Sequence, residues 1–144
     1  MDGDFSFSSG KKSKYFYDFD RLHPQDVRRY AKQLVANFGL KDQHFSFVAT
    51  IAIGGINLAF SIALELNLPL IVIDKRDTIR GDLTVLSDNW LFVDDVVSNF
   101  TALERTTSIL KCSAASMAIC FMFRGENEHP DIPVHYLEKG EVEK

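Results

Sequence analysis

Residues 92–102, FVDDVVSNFTA, carry the pattern that decides the fold of this chain. An apolar run at residues 90–93 ends in the acidic pair Asp94 and Asp95, and a turn with serine, asparagine and threonine follows. Residues 101–111 then show the spacing of a helix. A buried strand that leads through a polar turn into a helix is typical of α/β proteins, so we expect the rest of the chain to repeat this arrangement.

The other apolar segments do repeat it. Strands are predicted at residues 45–51, 70–73, 117–123 and 133–137, and helices at residues 24–38 and 57–66. Strands that alternate with helices indicate a parallel sheet covered on both faces. Aromatic segments at residues 5–7 and 13–19 flank a Ser-Gly-Lys-Lys turn and predict a hairpin. The expected fold is therefore α/β, a central, mostly parallel sheet flanked by helices, with a small N-terminal β-hairpin hood.

Length and composition limit the class of protein. The 144 residues are 46% hydrophobic and 25% charged, as in a globular chain. We expect one domain, with the hood at residues 1–20, an α/β core at 21–137 and a loose tail at 138–144. The net charge of -4 argues against a broad nucleic-acid surface. No apolar segment suits a membrane span and no secretion signal is evident, so we expect a cytoplasmic protein.

The only two cysteines are Cys112 and Cys120. They form no Cys-x-x-Cys motif and have no histidine cluster beside them, so the sequence indicates neither a zinc site nor a disulfide framework. We interpret both as small apolar residues of the core.

Three polar loops follow predicted strands, at residues 52–57, 74–89 and 94–101. In open α/β sheets, ligands bind beyond the carboxyl ends of the strands, where such loops meet. We therefore expect the three loops to cluster at one edge of the sheet and to form a site there.

The acidic pair has two interpretations. Two adjacent carboxylates repel each other unless hydroxyl groups or a cation lie between them, and ribose hydroxyls or Mg²⁺ would serve. Alternatively, one aspartate caps a helix and the other lies on the surface. The dipeptide alone favours the second interpretation.

The other polar residues of the loops also have two interpretations each. Ser98 and Thr101 at a helix start suit an anion, or they only cap the helix. Gly54 and Gly55 let a backbone approach a pyrophosphate, or they only make a tight turn. The basic residues of the second loop close over phosphates as a lid, or they are solvated charges. These basic residues are Lys75, Arg76 and Arg80.

The order of these segments resembles the type I phosphoribosyltransferases and, among them, the orotate phosphoribosyltransferases. The resemblance covers roughly residues 5–124. FSFSSGKKSKYFYDFDRL is similar to the family's hairpin, F-T-L-x-S-G-R-x-S-P-Y-[FY]. IAIGGINLAFSIALELNLPLIVIDK is similar to the pyrophosphate loop, G-G-I-P-L-A-x-A-x-A, and its following strand. LFVDDVVSNFTALE is similar to the phosphoribosyl pyrophosphate motif, V-D-D-V-[IV]-T-[AT]-G-T.

The resemblance implies an activity. Such enzymes transfer the phosphoribosyl group of phosphoribosyl pyrophosphate to orotate, a pyrimidine base, with Mg²⁺ on the released pyrophosphate. They are usually homodimers in which a mobile loop reaches the neighbouring site. Membranes and nucleic acids are not expected partners.

The resemblance also implies roles for individual residues. Lys75, Asp94 and Asp95 match catalytic positions, and the aspartates, which read the ribose hydroxyls, are also possible Mg²⁺ ligands. The implied base-binding residues are Phe16, Tyr17 and Arg124. The implied phosphate-binding residues are Ser98, Asn99, Thr101, Gly54, Gly55, Arg76 and Arg80, beside the aspartates.

The chain departs from the family pattern at its phosphate sites. Phe100 stands where the family has glycine, and Asn99 replaces a smaller residue. Ser8 and Gly54 stand where many members have lysine. The mobile loop usually carries Lys and His before its glycine, whereas here Thr78 and Arg80 precede Gly81. These departures leave three hypotheses: an active orotate phosphoribosyltransferase, a regulatory module that binds nucleotides or phosphosugars with little or no turnover, and an interaction scaffold that keeps only the fold.

Overall fold

The computed structural model describes residues 23–142. The predicted hairpin hood, with Ser8, Phe16 and Tyr17, lies outside the described residues. The helices are α1 (Pro24–Asn37), α2 (Ile56–Leu66) and α3 (Thr101–Leu110), and short 3-10 helices span Leu40–Asp42 and Leu83–Val85. The strands are β1 (Phe47–Ile51), β2 (Leu70–Ile73), β3 (Ile79–Arg80), β4 (Trp90–Val97), β5 (Met117–Phe123) and β6 (Val134–Lys139).

The strands form one six-stranded sheet in the order β3-β2-β1-β4-β5-β6. All neighbouring strands pair in parallel except β2 and β3, which are antiparallel. The predicted fold class, a mostly parallel sheet flanked by helices, is therefore confirmed. β1 lies in the middle between β2 and β4, so the C-terminal ends of these three strands lie side by side.

Helices cover both faces of the sheet. α1 and α2 pack on one face, over a core that includes Leu34, Leu58 and Ile62. α3 packs on the other face, over a core that includes Phe92 and Leu103. Each face of the sheet is thus buried, which explains why β1 and β4 are apolar along most of their length.

Local sequence signals explain where α1 begins and ends. Pro24 occupies its first turn, where a missing N–H costs nothing, and the His23 Nδ1 accepts a hydrogen bond from the Gln25 N–H at 3.0 Å. Gly39, just beyond the helix, has a φ of 60°, a conformation that glycine adopts without strain. No helix within residues 23–142 is both long and apolar enough to cross a membrane.

The structure corrects three predicted boundaries. β4 continues through Val97 rather than ending at residue 93, because the backbone of its second half still pairs with β5. The predicted polar loop at residues 74–89 contains β3 and a 3-10 helix, since β3 pairs with β2. β6 extends to Lys139, beyond the predicted end at residue 137, because Lys139 pairs with Phe123.

Candidate functional site

The site is built at the C-terminal edge of β1, β2 and β4. The turn that follows β1 contains Gly54 and Gly55, which we call the glycine turn. The turn that follows β4, residues 98–101, carries the hydroxyl groups and leads into α3, and we call it the hydroxyl turn. The three strands are parallel neighbours. The predicted clustering of the three loops at one edge therefore follows from the observed strand order.

Asp94 and Asp95 lie inside β4, not after it. β1 pairs with β4 only as far as Phe92, whereas β5 pairs with β4 as far as Val97. The Asp94 Oδ1 accepts the Asp95 N–H and the Asp95 Oδ1 accepts the Val96 N–H, each at 2.8 Å. The two carboxylates thus satisfy strand N–H groups beyond the end of β1.

The glycine turn packs directly on these carboxylates. A Cβ at Gly55 would lie 2.7 Å from the Thr50 Oγ1, 2.8 Å from the Asp94 Oδ1 and 2.9 Å from the Asp94 Cα. A Cβ at Gly54 would lie 2.6 Å from the Asp95 Oδ2. At Gly55 the contact includes backbone, so only glycine permits this approach, whereas at Gly54 the contact is with the Asp95 side chain alone. The peptide bond between Ala52 and Ile53, just before them, is cis.

Burial and charge act together on Asp94. Its pKa is raised well above the ordinary aspartate value, first because the carboxyl is desolvated and then because Asp95 is beside it. The carboxyl of Asp94 therefore resists ionisation until a donor or a cation reaches it. Strongly shifted pKa values of this kind are frequent at functional sites.

The hydroxyl turn carries its own hydrogen-bond acceptor. The Asn99 Oδ1 accepts the Thr101 N–H at 2.9 Å and so takes one of the donors at the start of α3. The N–H groups of Ala102 and Leu103, also in the first turn, have no partner within the helix. These N–H groups, with the hydroxyls of Ser98 and Thr101, are the means by which this turn can bind an anion.

Phe100 does not strain the hydroxyl turn. Its φ is -106° and its ψ is 19°, so the backbone at this position does not require glycine. Its half-buried ring stacks on Phe123 at 6.2 Å between centroids and meets His129 edge-on at 4.8 Å. Phe100 is therefore a packing residue of this turn, through its contacts with Phe123 and His129, which the sequence did not indicate.

A cavity of about 110 Å³ lies beside this turn. Its polar lining comes from Asp94, Ser98 and Asn99, and its apolar lining includes Phe92 and Phe100. No lysine or arginine lines it within the part of the chain that the structure describes. An anion bound beside this cavity would rely on backbone N–H groups and hydroxyls.

The basic residues divide into paired and unpaired side chains. Arg80 lies on β3, and its guanidinium donates to Asp74 at 3.0 Å. Lys75 and Arg76 are exposed and make no ion pair within residues 23–142. Arg105 of α3 forms an ion pair with Asp77 and so ties the β2–β3 turn to this helix. Lys75 and Arg76 are thus available to a ligand at this edge.

Arg124 lies at the end of β5, and its side chain runs along the C-terminal tail. Its Nε donates to the Glu141 carbonyl oxygen at 3.0 Å, and the Gly140 N–H bonds to the Phe123 carbonyl oxygen at 2.8 Å. The start of the predicted loose tail is therefore held against β5. The guanidinium keeps further donors besides Nε, which a carboxylate ligand could use.

The site contains two further residues that sequence patterns did not single out. Thr50 is fully buried beneath the glycine turn, and its Oγ1 has no hydrogen-bond partner. His129 packs on Phe100; its Nδ1 accepts the N–H groups of Asp131 and Ile132, and its Nε2 lies 3.1 Å from Glu104. Neither residue stands in a recognisable motif, so only the three-dimensional arrangement brings them to the site.

No family model matches the chain. The orotate phosphoribosyltransferase of Methanosarcina mazei is 29% identical over 124 residues, 80% of this chain and 65% of that protein. The corresponding enzyme of Methanosarcina acetivorans is 30% identical over 78% of this chain and 64% of its own length. This chain thus spans slightly under two thirds of the length of these two relatives.

Two solved structures of phosphoribosyltransferases share the fold of this chain. Orotate phosphoribosyltransferase from Aeropyrum pernix superposes with a TM-score of 0.70 at 24% identity, covering 95% of this chain and 86% of that one. Adenine phosphoribosyltransferase from Thermoanaerobacter pseudethanolicus superposes with a TM-score of 0.64 at 12% identity. The superposition covers 80% of this chain and 81% of that one. The chain therefore has the type I phosphoribosyltransferase fold, and its sequence is similar to those of orotate phosphoribosyltransferases, as its motifs predicted.

Proposed function

We propose that this protein transfers the phosphoribosyl group of phosphoribosyl pyrophosphate to orotate, releasing pyrophosphate and forming orotidine monophosphate. The observation that carries the proposal is the placement of Asp94 and Asp95 between the glycine turn and the hydroxyl turn. This order suits a phosphosugar, with its pyrophosphate at the glycine turn, its ribose at the acidic pair and its 5′-phosphate at the start of α3.

Each group has a role that its chemistry supports. The carboxylate oxygens of Asp94 and Asp95 accept hydrogen bonds from the ribose hydroxyls, which fixes the sugar. Positive charge develops on the sugar as the bond to pyrophosphate breaks, and the two nearby carboxylates stabilise it. Lys75 and Arg76, which are exposed and unpaired among the described residues, neutralise the departing pyrophosphate.

The base-binding roles rest on the resemblance. Arg124 suits a carboxylate-bearing base because a guanidinium recognises a carboxylate through two parallel hydrogen bonds. Its Nε contact with the tail leaves its terminal nitrogens for that purpose. Phe16 and Tyr17 are the proposed aromatic partners of the base.

Magnesium fits this site only together with its substrate. Within residues 23–142, no group of three or more histidine, cysteine, aspartate or glutamate side chains is arranged to hold a metal. Mg²⁺ is commonly held by one or two carboxylates plus substrate phosphates, and Asp94 and Asp95 match that donor set. When bound, the ion supplies charge neutralisation to the pyrophosphate.

The test is a direct assay. The full chain is incubated with orotate, phosphoribosyl pyrophosphate and Mg²⁺, and orotidine monophosphate is measured by chromatography. We expect turnover in the wild type and a loss of about 100-fold or more in the Asp94→Asn/Asp95→Asn double variant. No product at high enzyme concentration would reject the proposal, and a thermal shift with phosphoribosyl pyrophosphate alone would then identify a binding module.

We also propose that the protein acts as a cytoplasmic homodimer. On α2, Phe60 and Leu64 are 59% and 67% exposed, and they lie one helical turn apart with Ile53 nearby in sequence. An apolar strip of this kind suits burial against a second copy. Sedimentation of the wild type and of a Phe60→Ser/Leu64→Ser variant tests the dimer: a monomeric wild type would reject it.

A further inference from the structure

His129 lies in the loop of residues 124–133, which joins β5 to β6. Only 8% of its side chain is exposed. Its Nδ1 accepts hydrogen bonds from the N–H groups of Asp131 and Ile132, each at 3.0 Å. Ile132 is a buried residue of the core that α3 covers. The imidazole of His129 is therefore held by its own loop, and that loop is anchored in the core.

These contacts determine which nitrogen of the imidazole carries the proton. An Nδ1 that accepts two N–H groups carries no proton itself, so the ring proton lies on Nε2. The Nε2 is 3.1 Å from the Glu104 Oε2, and it therefore donates a hydrogen bond to this carboxylate. Through its two nitrogens, His129 connects the loop of residues 124–133 to the first turn of α3.

The ring of His129 also contacts Phe100, the residue that precedes α3. The Phe100 ring meets His129 edge-on at 4.8 Å between centroids and stacks on Phe123 at 6.2 Å. Phe100 and Glu104 are four residues apart, so they lie on the same side of the first turn of α3. His129 thus contacts this turn at two points. Because both of its nitrogens are already occupied, the ring can restrain the turn but does not itself bind an anion there.

The charge of Glu104 makes this restraint important for an anion. A carboxylate in the first turn of a helix is attracted to the same unpaired N–H groups that a bound anion would use. Because the side chains of a helix lean toward its N-terminus, an unrestrained Glu104 would turn toward the hydroxyl turn. The hydrogen bond from His129 instead holds this carboxylate at the loop of residues 124–133.

We propose that His129 is a positioning residue for the 5′-phosphate of the phosphosugar. By restraining Phe100 and Glu104, it fixes the start of α3 and keeps the Glu104 carboxylate away from the phosphate. The turn in which Phe100 replaces glycine is thus stabilised by a side chain from a different loop. The phosphate ligand rests on the proposed function, whereas the contacts of His129 with Phe100 and Glu104 do not.

The first experiment needs no ligand. Histidine rings are labelled with ¹⁵N in the full chain, and the signals of His129 are assigned by their loss in His129→Asn. We expect the NMR spectrum to show a protonated Nε2 and an unprotonated Nδ1. In Glu104→Ala, the Nε2–H signal should shift and the proton should exchange faster with water, because its acceptor is lost. A proton on Nδ1, or an Nε2–H that Glu104→Ala leaves unchanged, would overturn the proposal.

The second experiment separates the two nitrogens. His129→Asn places an amide oxygen near the position of Nδ1 but removes the Nε2 donor, whereas His129→Gln places an amide N–H near Nε2 but removes the Nδ1 acceptor. By calorimetry, we expect the affinity for ribose 5-phosphate to fall about tenfold in His129→Asn and to stay within about threefold of the wild type in His129→Gln. The Tm should be lower in His129→Gln, because the N–H groups of Asp131 and Ile132 lose their acceptor. An affinity that follows Tm instead of the Nε2 donor would assign His129 a purely structural role and overturn the proposal.

A second ligand and a second histidine provide the controls. Pyrophosphate, assigned to the glycine turn, should bind within about twofold of the wild-type affinity in His129→Asn. His135 on β6 stacks on Phe38 at 4.5 Å and does not line the cavity beside the hydroxyl turn, so His135→Ala should lower Tm without changing either affinity. Equal losses of ribose 5-phosphate and pyrophosphate affinity in His129→Asn would overturn the proposal. If the wild type binds neither ligand while the NMR spectrum shows the contact, the proposed function fails and the pairing of His129 with Glu104 stands.

Discussion

The glycine turn and the hydroxyl turn flank the same two aspartates, but they are built in opposite ways. At the glycine turn, the backbone approaches Thr50 and Asp94 so closely that no side chain fits at Gly55. At the hydroxyl turn, side chains make the stabilising contacts. The Asn99 Oδ1 accepts a hydrogen bond from the Thr101 N–H, and the Phe100 ring packs on Phe123 and His129. The glycine turn thus requires a residue without a side chain, whereas the hydroxyl turn is stabilised by side-chain contacts.

This difference teaches how to interpret a departure from a family pattern. A large residue in place of glycine is disruptive where the backbone is in close contact or has positive φ. The φ of -106° at Phe100 meets neither condition, whereas the contacts at Gly55 meet the first. The backbone geometry, and not the size of the replaced residue, decides the consequence.

The largest effect is expected at Gly55. In Gly55→Ala, the new Cβ would meet the backbone Cα of Asp94 at 2.9 Å, which cannot move without shifting β4. We expect about a 100-fold loss of phosphoribosyl pyrophosphate affinity, measured by calorimetry, because this overpacking costs about 1–3 kcal/mol. Gly54→Ala is the control: its Cβ meets only side-chain atoms of Asp95, so its loss should be smaller. Equal losses of affinity in Gly54→Ala and Gly55→Ala would contradict the view that backbone contact makes Gly55 the more sensitive position.

The next effect concerns Phe100. We expect Phe100→Gly to lower the free energy of unfolding by about 2 kcal/mol, since a half-buried aromatic side chain is removed. Its affinity for inorganic phosphate should not rise, because the ring packs against Phe123 and His129. Urea unfolding and calorimetry provide the two measurements, and Phe100→Leu serves as a control that keeps apolar volume. A gain in phosphate affinity would show that Phe100 blocks the turn.

A smaller effect is expected at Asn99. Asn99→Ala frees the Thr101 N–H, and we expect its affinity for ribose 5-phosphate to rise about fivefold, the value of one neutral hydrogen bond. Asn99→Asp is the matched control, because it keeps the acceptor and adds a negative charge, so its affinity should fall. Lower affinity in Asn99→Ala would mean that the amide contacts the phosphate directly.

The smallest effect concerns stability and pH. The pKa of Asp94 is raised in the folded protein by burial and by Asp95, so the folded state holds this proton more tightly than the unfolded state. The contribution of Asp94 to stability is therefore present below its ordinary pKa of 3.8 and is lost as the pH rises toward its folded pKa. Asp94→Asn should abolish this loss of stability with rising pH. We expect its Tm at pH 7 to lie about 4 °C above that of the wild type, which corresponds to about 1 kcal/mol in the free energy of unfolding. Parallel pH profiles of Tm for the two proteins would mean that folding does not raise the pKa of Asp94.

Most of the fold could be predicted from apolar periodicity. The strands Leu70–Ile73 and Met117–Phe123 have the predicted bounds, since both are continuous apolar runs with clear flanking residues. The second half of β4 was missed because Asp94 and Asp95 interrupt the apolar run, although backbone pairing with β5 does not depend on side-chain polarity. β3 was missed because two residues carry no periodicity.

The site was predictable in part. Sequence order placed Asp94, Asp95 and the two glycines at one edge, because parallel strands end together. The roles of Thr50, Phe100 and His129 were not predictable, since each depends on contacts between residues far apart in sequence. The Arg80–Asp74 pair also depends on β3, which positions Arg80 beside the end of β2.

The unequal pairing of β4 has a consequence for amide exchange. Residues up to Phe92 lie between two strands, whereas the N–H groups of Asp95 and Val96 bond to carboxylates of their own strand. The first half should exchange its amide hydrogens with solvent only on global unfolding, and the second half through local opening. A ligand that engages the carboxylates would slow exchange in the second half alone. Deuterium uptake along this single strand would therefore report directly whether the site is occupied.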